Sequence, residues 1–108
     1  MSKKDLVLFN EKDVRIERNE EGTLVVSSRI IAEQLGKRHS DMLEQIDKIL
    51  ENGDFRSLII SSTYEVSGQS RKYKEYLLTE KGFTLYMFNI QGYNEFKLAY
   101  IREFKRMQ

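Results

Sequence analysis

Ser27-Ser28-Arg29-Ile30-Ile31-Ala32-Glu33-Gln34-Leu35-Gly36-Lys37-Arg38-His39-Ser40-Asp41-Met42-Leu43-Glu44-Gln45-Ile46 sets the architecture of this chain. Ser27-Ser28 offers a hydroxyl to the orphan N–H groups of a helix start. Residues 29–35 then make two turns, with Ile31 and Leu35 on one face at i, i+4. Gly36 stands where a left-handed residue closes a helix. Three polar residues follow, and Ser40 is expected to cap a second helix. Its stripe runs through Met42, Leu43, Ile46, Ile49 and Leu50, at i, i+1, i+4, i+7 and i+8. Asn52-Gly53 ends it. Ala32 is small enough for the two helices to approach closely, and Met42 anchors the second against the first. A hydrophobe is expected at position 45, where Gln45 stands with Ile46 beside it, so the register is imperfect. Residues 28–51 thus read as a helix-turn-helix.

On the N-terminal side, Leu6-Val7-Leu8-Phe9 reads as a short strand or a pairing arm. Val14 and Ile16 alternate with charged residues, Asn19-Glu20-Glu21-Gly22 reads as a turn, and Thr23-Leu24-Val25-Val26 is β-rich. Residues 13–26 are therefore expected to form a hairpin. On the C-terminal side, residues 57–66 are β-branched and aromatic, Ser67-Gly68-Gln69-Ser70 is turn-like, and residues 72–78 return as the partner strand. The spacing predicts a second hairpin over 57–78. Thr79 can cap a third helix, whose buried face is Phe83, Tyr86, Met87 and Ile90. Gly92 breaks it, and Tyr93, Phe96, Tyr100, Phe104 and Met107 mark a fourth. The C-terminal helical pair spans about 80–107. The expected class is α+β, winged helix-turn-helix-like, with two β-hairpins and four helices. With no proline, repeat or linker, residues 1–108 are expected to be a single domain.

Composition narrows the chemistry. The 108 residues carry 18 basic and 17 acidic side chains for a net charge of +1, so no strongly basic surface is visible at whole-chain level. There is no cysteine and one histidine, which excludes disulfides, a thiolate zinc site, a cysteine nucleophile and an all-histidine metal cage. No apolar run approaches membrane-helix length, and the Leu6–Phe9 patch is too short for a signal-peptide core. The expectation is a cytoplasmic protein with no membrane partner, cofactor, metal or catalytic residue. No phosphate-binding glycine loop or nucleophile–base pair points to an enzyme.

Function is read from two basic clusters. Lys37-Arg38-His39 sits in the turn at the start of the second helix, where side-chain cations, backbone amides and the helix dipole can converge on a phosphate. Gly68-Gln69-Ser70-Arg71-Lys72-Tyr73-Lys74, at the tip of the second hairpin, holds three cations within four residues and suits a wing lying along a phosphate backbone. The bland reading of both clusters is solvated charge on turns. Lys37, Arg38, His39, Ser40, Gln45, Arg71, Lys72 and Lys74 are the expected DNA contacts. Gln45 is the one candidate for a base edge, since glutamine pairs with adenine. Asp41, Glu44, Asp47 and Glu51 on the exposed side of the second helix oppose that reading, because phosphates repel carboxylates. His39 has no metal partners and no nucleophile in suitable spacing, so it is expected to cap the second helix or contact phosphate. Most of the six tyrosines and six phenylalanines fall at helical core spacing and read as packing, Tyr73 in the wing excepted. The apolar stripe of the last helix reaches Met107 with no capping residue beyond it. That implies a longer natural chain, or docking on a partner, a symmetric homodimer being the commonest outcome.

Val25-Val26-Ser27-Ser28, Ile31-Ala32-Glu33, Gly36-Lys37-Arg38-His39, Met42-Leu43 and Ile46 together resemble the opening motif of the phage regulatory protein Rha family. Tyr64, Gly68, Tyr73, Leu78-Thr79-Glu80-Lys81-Gly82-Phe83, Lys97, Tyr100-Ile101, Phe104 and Met107 resemble its closing pattern, so the likeness covers about residues 23–108. The Gly-Lys-x-His and Leu-Thr-x-x-Gly-Phe stretches are its most specific parts. The resemblance implies a phage or prophage regulator that binds double-stranded DNA in the bacterial host cell, with Lys37, Arg38 and His39 as relevant positions. Acidic Glu44 and Asp47 depart from what a base-reading helix prefers. The alternative is an antirepressor-like module that binds a repressor or host protein.

Overall fold

The structure, a computed structural model, describes residues 11–108, and the strand or arm expected at Leu6–Phe9 lies outside them. A single 3-10 turn, Glu11–Asp13, leads into strand β1 (Glu17–Arg18), which pairs antiparallel with β2 (Leu24–Ser27). The turn between them is tied by the Asn19 side chain, which accepts the N–H groups of Glu21 and Thr23, and by Gly22 in the left-handed region at φ 82°. The first hairpin is shorter than the expected 13–26. Val14 and Ile16 still pack on the core from the segment before β1.

Helix α1 (Ser28–Leu35) follows β2 without a loop. Ser27 is the last strand residue and also the N-cap, its Oγ accepting Arg29 N–H. Gly36 closes the helix at φ 69°, with Gly36 N–H on Glu33 O and Lys37 N–H on Ala32 O. Helix α2 (His39–Glu51) starts earlier than expected. Its N-cap is Arg38, which makes no side-chain capping bond, so the capping role expected of Ser40 is corrected: Ser40 lies exposed in the first turn. Ile31, Ala32, Met42 and Ile46 are fully buried between the helices, as the helical period requires.

Strands β3 (Ile59–Glu65) and β4 (Lys72–Leu78) form the second hairpin, paired from Ile59↔Leu78 to Glu65↔Lys72. The two hairpins are not separate: β2 pairs antiparallel with β4 through Val26↔Leu78 and Ser27↔Leu77, giving one four-stranded antiparallel sheet in the order β1-β2-β4-β3. The fold is α+β, with four helices and this sheet.

Thr79 caps α3 (Glu80–Met87), accepting Gly82 N–H while donating its hydroxyl to Leu58 O. Gly82 presses directly on Leu58: a Cβ there would lie 2.1 Å from the carbonyl oxygen. The Leu78–Phe83 stretch therefore has a physical reading: a buried strand end, a cap, a glycine against backbone and a fully buried aromatic. Ile90 lies beyond the end of α3 but remains buried. Gly92 (φ 80°) and Tyr93 (φ 58°) turn the chain into α4 (Asn94–Met107). Phe83 is the hub of an aromatic cluster, 5.0 Å from the Tyr100 ring, 6.0 Å from Phe96 and 6.2 Å from Phe104. Offset and tilted pairs of this kind add about 0.5–1.5 kcal/mol each to the burial itself.

Candidate nucleic-acid interface

The junction of β2 and α1 organises the site. Ser27 donates its hydroxyl to Glu75 Oε1 at 2.5 Å, which satisfies an acid that is only 7% exposed. Ser28, fully buried, accepts Tyr76 N–H at 2.9 Å and lies 2.8 Å from His39 Nε2. Neighbouring serines thus tie the helix pair to β4. Burial holds the imidazole pKa below its usual value, opposed by the Glu75 charge and aided by Arg29. The Ser28 hydroxyl and His39 Nε2 thus share a hydrogen bond between the two helices. His39 is therefore a tether between α1 and α2, and the cap expected of it is not made.

From His39 a row of flat side chains runs onto the hairpin. Its ring lies 6.3 Å from Tyr64 on β3, and Tyr64 lies 5.6 Å from its cross-strand partner Tyr73 on β4. Arg29 stacks over Tyr64 at 4.7 Å and Arg71 over Tyr73 at 5.3 Å. The Tyr73 hydroxyl donates to Gln69 Oε1 at 2.6 Å, holding the hairpin tip. The N-terminus of α2 and the β3–β4 hairpin consequently share one face.

The outer side of α2 is different. Lys37, Arg38, Asp41, Glu44, Gln45 and Lys48 line a shallow depression. Arg38 is bridged to Asp41 at 3.1 Å. Gln45 is exposed, but its Oε1 accepts the Tyr86 hydroxyl at 2.7 Å. Asp47 turns away toward the sheet, accepting the Tyr76 hydroxyl at 2.5 Å and pairing with Lys74 at 3.3 Å. That partly neutralises one carboxylate of the helix and engages one of the expected wing cations.

Of the residues singled out in the sequence, His39, Tyr73 and Arg71 fall in the stacked row, with Lys72 exposed on the same hairpin. Lys37, Arg38 and Gln45 fall in the depression, Ser40 is exposed in the first turn of α2, and Lys74 points to α2. Arg29 and Tyr64 were not anticipated. The available signal was the hairpin register: a turn centred on Gly68-Gln69 places Tyr64 opposite Tyr73, and Arg29 is the first charged position after the Ser27-Ser28 start. Elsewhere, Phe88 is 81% exposed beside a small apolar pocket lined by Phe83, Thr84, Met87, Lys97 and Ile101. Among the described residues no helix is long and apolar enough to cross a membrane, and no cluster of His, Cys, Asp and Glu could hold a metal.

Comparison with known proteins places this geometry in context. Residues 26–108 match the family model described as phage regulatory protein Rha. A Bacillus subtilis (strain 168) protein, the SPbeta prophage-derived YoqD, whose name calls it an antirepressor, is 37% identical over 100 residues, covering 86% of this chain and 39% of its own length. An uncharacterized protein of Haemophilus influenzae is 30% identical over 95 residues, covering 83% of this chain and 55% of its own. The chain thus spans about two-fifths and about half of these relatives. No solved structure matches it. Matched over most of its length, including the serine junction, the His39 turn and the Leu78–Phe83 stretch, the chain belongs to the phage regulatory protein Rha family.

Proposed function

We propose that this chain is a DNA-binding regulatory domain, a single unit in which α1 and α2 act as a helix-turn-helix and the β3–β4 hairpin acts as its wing. The observation that carries this reading is the 6.3 Å contact between His39 at the start of α2 and Tyr64 on the hairpin, which puts turn and wing on one side. A duplex laid there meets Lys37, Arg38 and Ser40 at the helix start and Arg71 and Lys72 at the wing. Lys74 contributes through its half-exposed ammonium, and Gln45 through its amide N–H groups. Most of the affinity comes from phosphates, with sequence readout secondary. The setting is the cytoplasm of the bacterial host, and the exposed Phe88 and Leu98 on the C-terminal helices suit a homodimer.

Fluorescence anisotropy with a labelled random duplex, titrated over several salt concentrations, tests the reading. A log–log slope of about −4 to −6 is expected, corresponding to roughly five to seven phosphate contacts. Replacing Arg71 and Lys72 by alanine should lower the magnitude of that slope by about 1.8. Absence of binding at low salt overturns the reading.

The second reading is a protein-interaction module of the antirepressor type. It is favoured by Glu44 and Glu51, exposed on α2 and without an ion-pair partner among the described residues, and by the name of the Bacillus relative. It expects Glu44→Lys/Glu51→Lys to abolish capture of a repressor or host factor. Retained capture by that variant removes α2 as the docking face.

A further inference from the structure

We propose that Arg29 and Arg71 form a pre-ordered two-point clamp on DNA phosphates, held in place by Tyr64 and Tyr73. This deepens the DNA-binding reading and depends on it. The row Arg29–Tyr64–Tyr73–Arg71 places a guanidinium at each end of a pair of rings across the α1 start and both wing strands, with guanidinium-to-ring distances of 4.7 and 5.3 Å and 5.6 Å between the rings. A guanidinium stacked on a ring keeps its in-plane N–H groups directed outward, toward whatever approaches the face. Its side-chain freedom is already reduced before a ligand arrives, so less is lost on binding.

Most of the other arginines are engaged elsewhere: Arg15 donates to the carbonyls of Lys12 and Val14, and Arg18 to those of Gly22 and Met107. Arg38, Arg56, Arg106, Lys74 and Lys105 each have a carboxylate partner. Among the described residues Arg29 and Arg71 have none, and both side chains are exposed. Glu75 on the underlying strand is buried and bound by the Ser27 hydroxyl, so its carboxylate does not reach the surface of the row. Arginines held flat and free of anions suit phosphate oxygens, which they can take two at a time. The tyrosines act as positioning residues. Their hydroxyls are not needed for this role, because stacking uses the ring.

The test uses the whole chain and a labelled random duplex, read by anisotropy across salt. Arg29→Ala should lower the magnitude of the log–log slope by about 0.9 and weaken binding by about 8-fold at 0.1 M salt, since one released counterion scales affinity by that power of salt concentration. Tyr64→Leu should weaken binding by about 2- to 5-fold with the slope unchanged, because the charge remains and only its ordering is lost. Tyr64→Phe should bind like the native chain. Arg29→Lys keeps the slope and loses the same 2- to 5-fold, which secures the argument if Tyr64→Leu does not fold. A native slope in Arg29→Ala overturns the clamp, as does native affinity in both Tyr64→Leu and Arg29→Lys. Should the native chain fail to bind duplex at all, the DNA reading itself falls and the clamp with it.

Discussion

Gly82→Ala is the sharpest test of the packing described above. The added Cβ would sit 2.1 Å from Leu58 O, 2.9 Å from Leu58 C and 3.0 Å from Ile59 Cγ1. An ordinary contact needs about 3.4 Å, so the start of α3 must retreat from β3 by more than an ångström. Both obstructing atoms at Leu58 are backbone and cannot swing aside. Overpacking of this kind costs about 1–3 kcal/mol. The retreat also loosens the bonds that Thr79 N–H and Thr79 Oγ make to Leu58 O, at 3.0 and 2.8 Å, each worth about 1 kcal/mol. Against this, alanine regains about 1 kcal/mol of helix propensity. The net loss is about 2–4 kcal/mol, which lowers Tm by roughly 10–25 °C for a domain of this size. Thermal unfolding followed by circular dichroism at 222 nm measures it directly. Gly53→Ala is the control: its Cβ meets Phe55 ring carbons at 2.7 and 2.8 Å, the mobile end of a surface side chain, so its Tm should change by only a few degrees. A Gly82→Ala variant at or above the native Tm would refute the idea that this glycine exists to let α3 touch the strand.

Other outcomes are equally specific. Thr79→Val keeps the shape but removes both the cap and the bond to Leu58 O, and should cost about 1–2 kcal/mol in urea unfolding. Because burial depresses the His39 pKa, the unfolded chain takes up the proton first; stability should hold above pH 6.5 and fall as pH drops through the folded value, and His39→Gln should flatten that part of the profile. Tyr86 and Tyr100 are pushed up to about 12 by burial and Tyr76 is raised as well, so three of the six tyrosines should ionise late in an absorbance titration at 295 nm, and stability should fall as pH rises from 10 toward 12. A titration in which all six ionise together near pH 10 would contradict their burial. Phe88→Asp should convert a homodimer to monomer in sedimentation velocity; a native chain that is already monomeric removes the C-terminal helices as a dimer face.

The helices were readable because their buried positions follow one period. Ile31, Met42, Ile46, Phe83, Tyr86, Phe96, Tyr100 and Phe104 are all at or near zero exposure, as their spacing implied. Gly36 and the Thr79 cap were equally plain, since each is a local matter of backbone conformation or a single hydroxyl. The joining of the hairpins was not readable, because the β2–β4 pairing links Val26 to Leu78 across half the chain and leaves no local trace. Ser40 misled for a different reason. Serine favours caps in general, but the helix starts two residues earlier than a Ser40 cap implies, with His39 in its first turn bonded to Ser28. At the site, charge was legible and stacking was not: Arg71 and Lys72 announced themselves, whereas Arg29 gains its partner Tyr64 only when α1 is laid beside β3. Asp47 is the converse, a residue of the exposed pattern whose carboxylate is bonded by Tyr76 and Lys74 from the sheet.

The loopless passage from β2 into α1 has a mechanical consequence. Ser27 is at once ladder residue, cap and donor to Glu75, so the first helix cannot pivot without breaking the sheet beneath it. The angle between α2 and the hairpin is thus built in at folding, and the Tyr73–Gln69 bond holds the tip as well. On the DNA-binding reading, the duplex must do the bending. Sites rich in easily kinked pyrimidine–purine steps would then be preferred even where no side chain touches a base, so this chain would choose its targets by the stiffness of the double helix as much as by its letters.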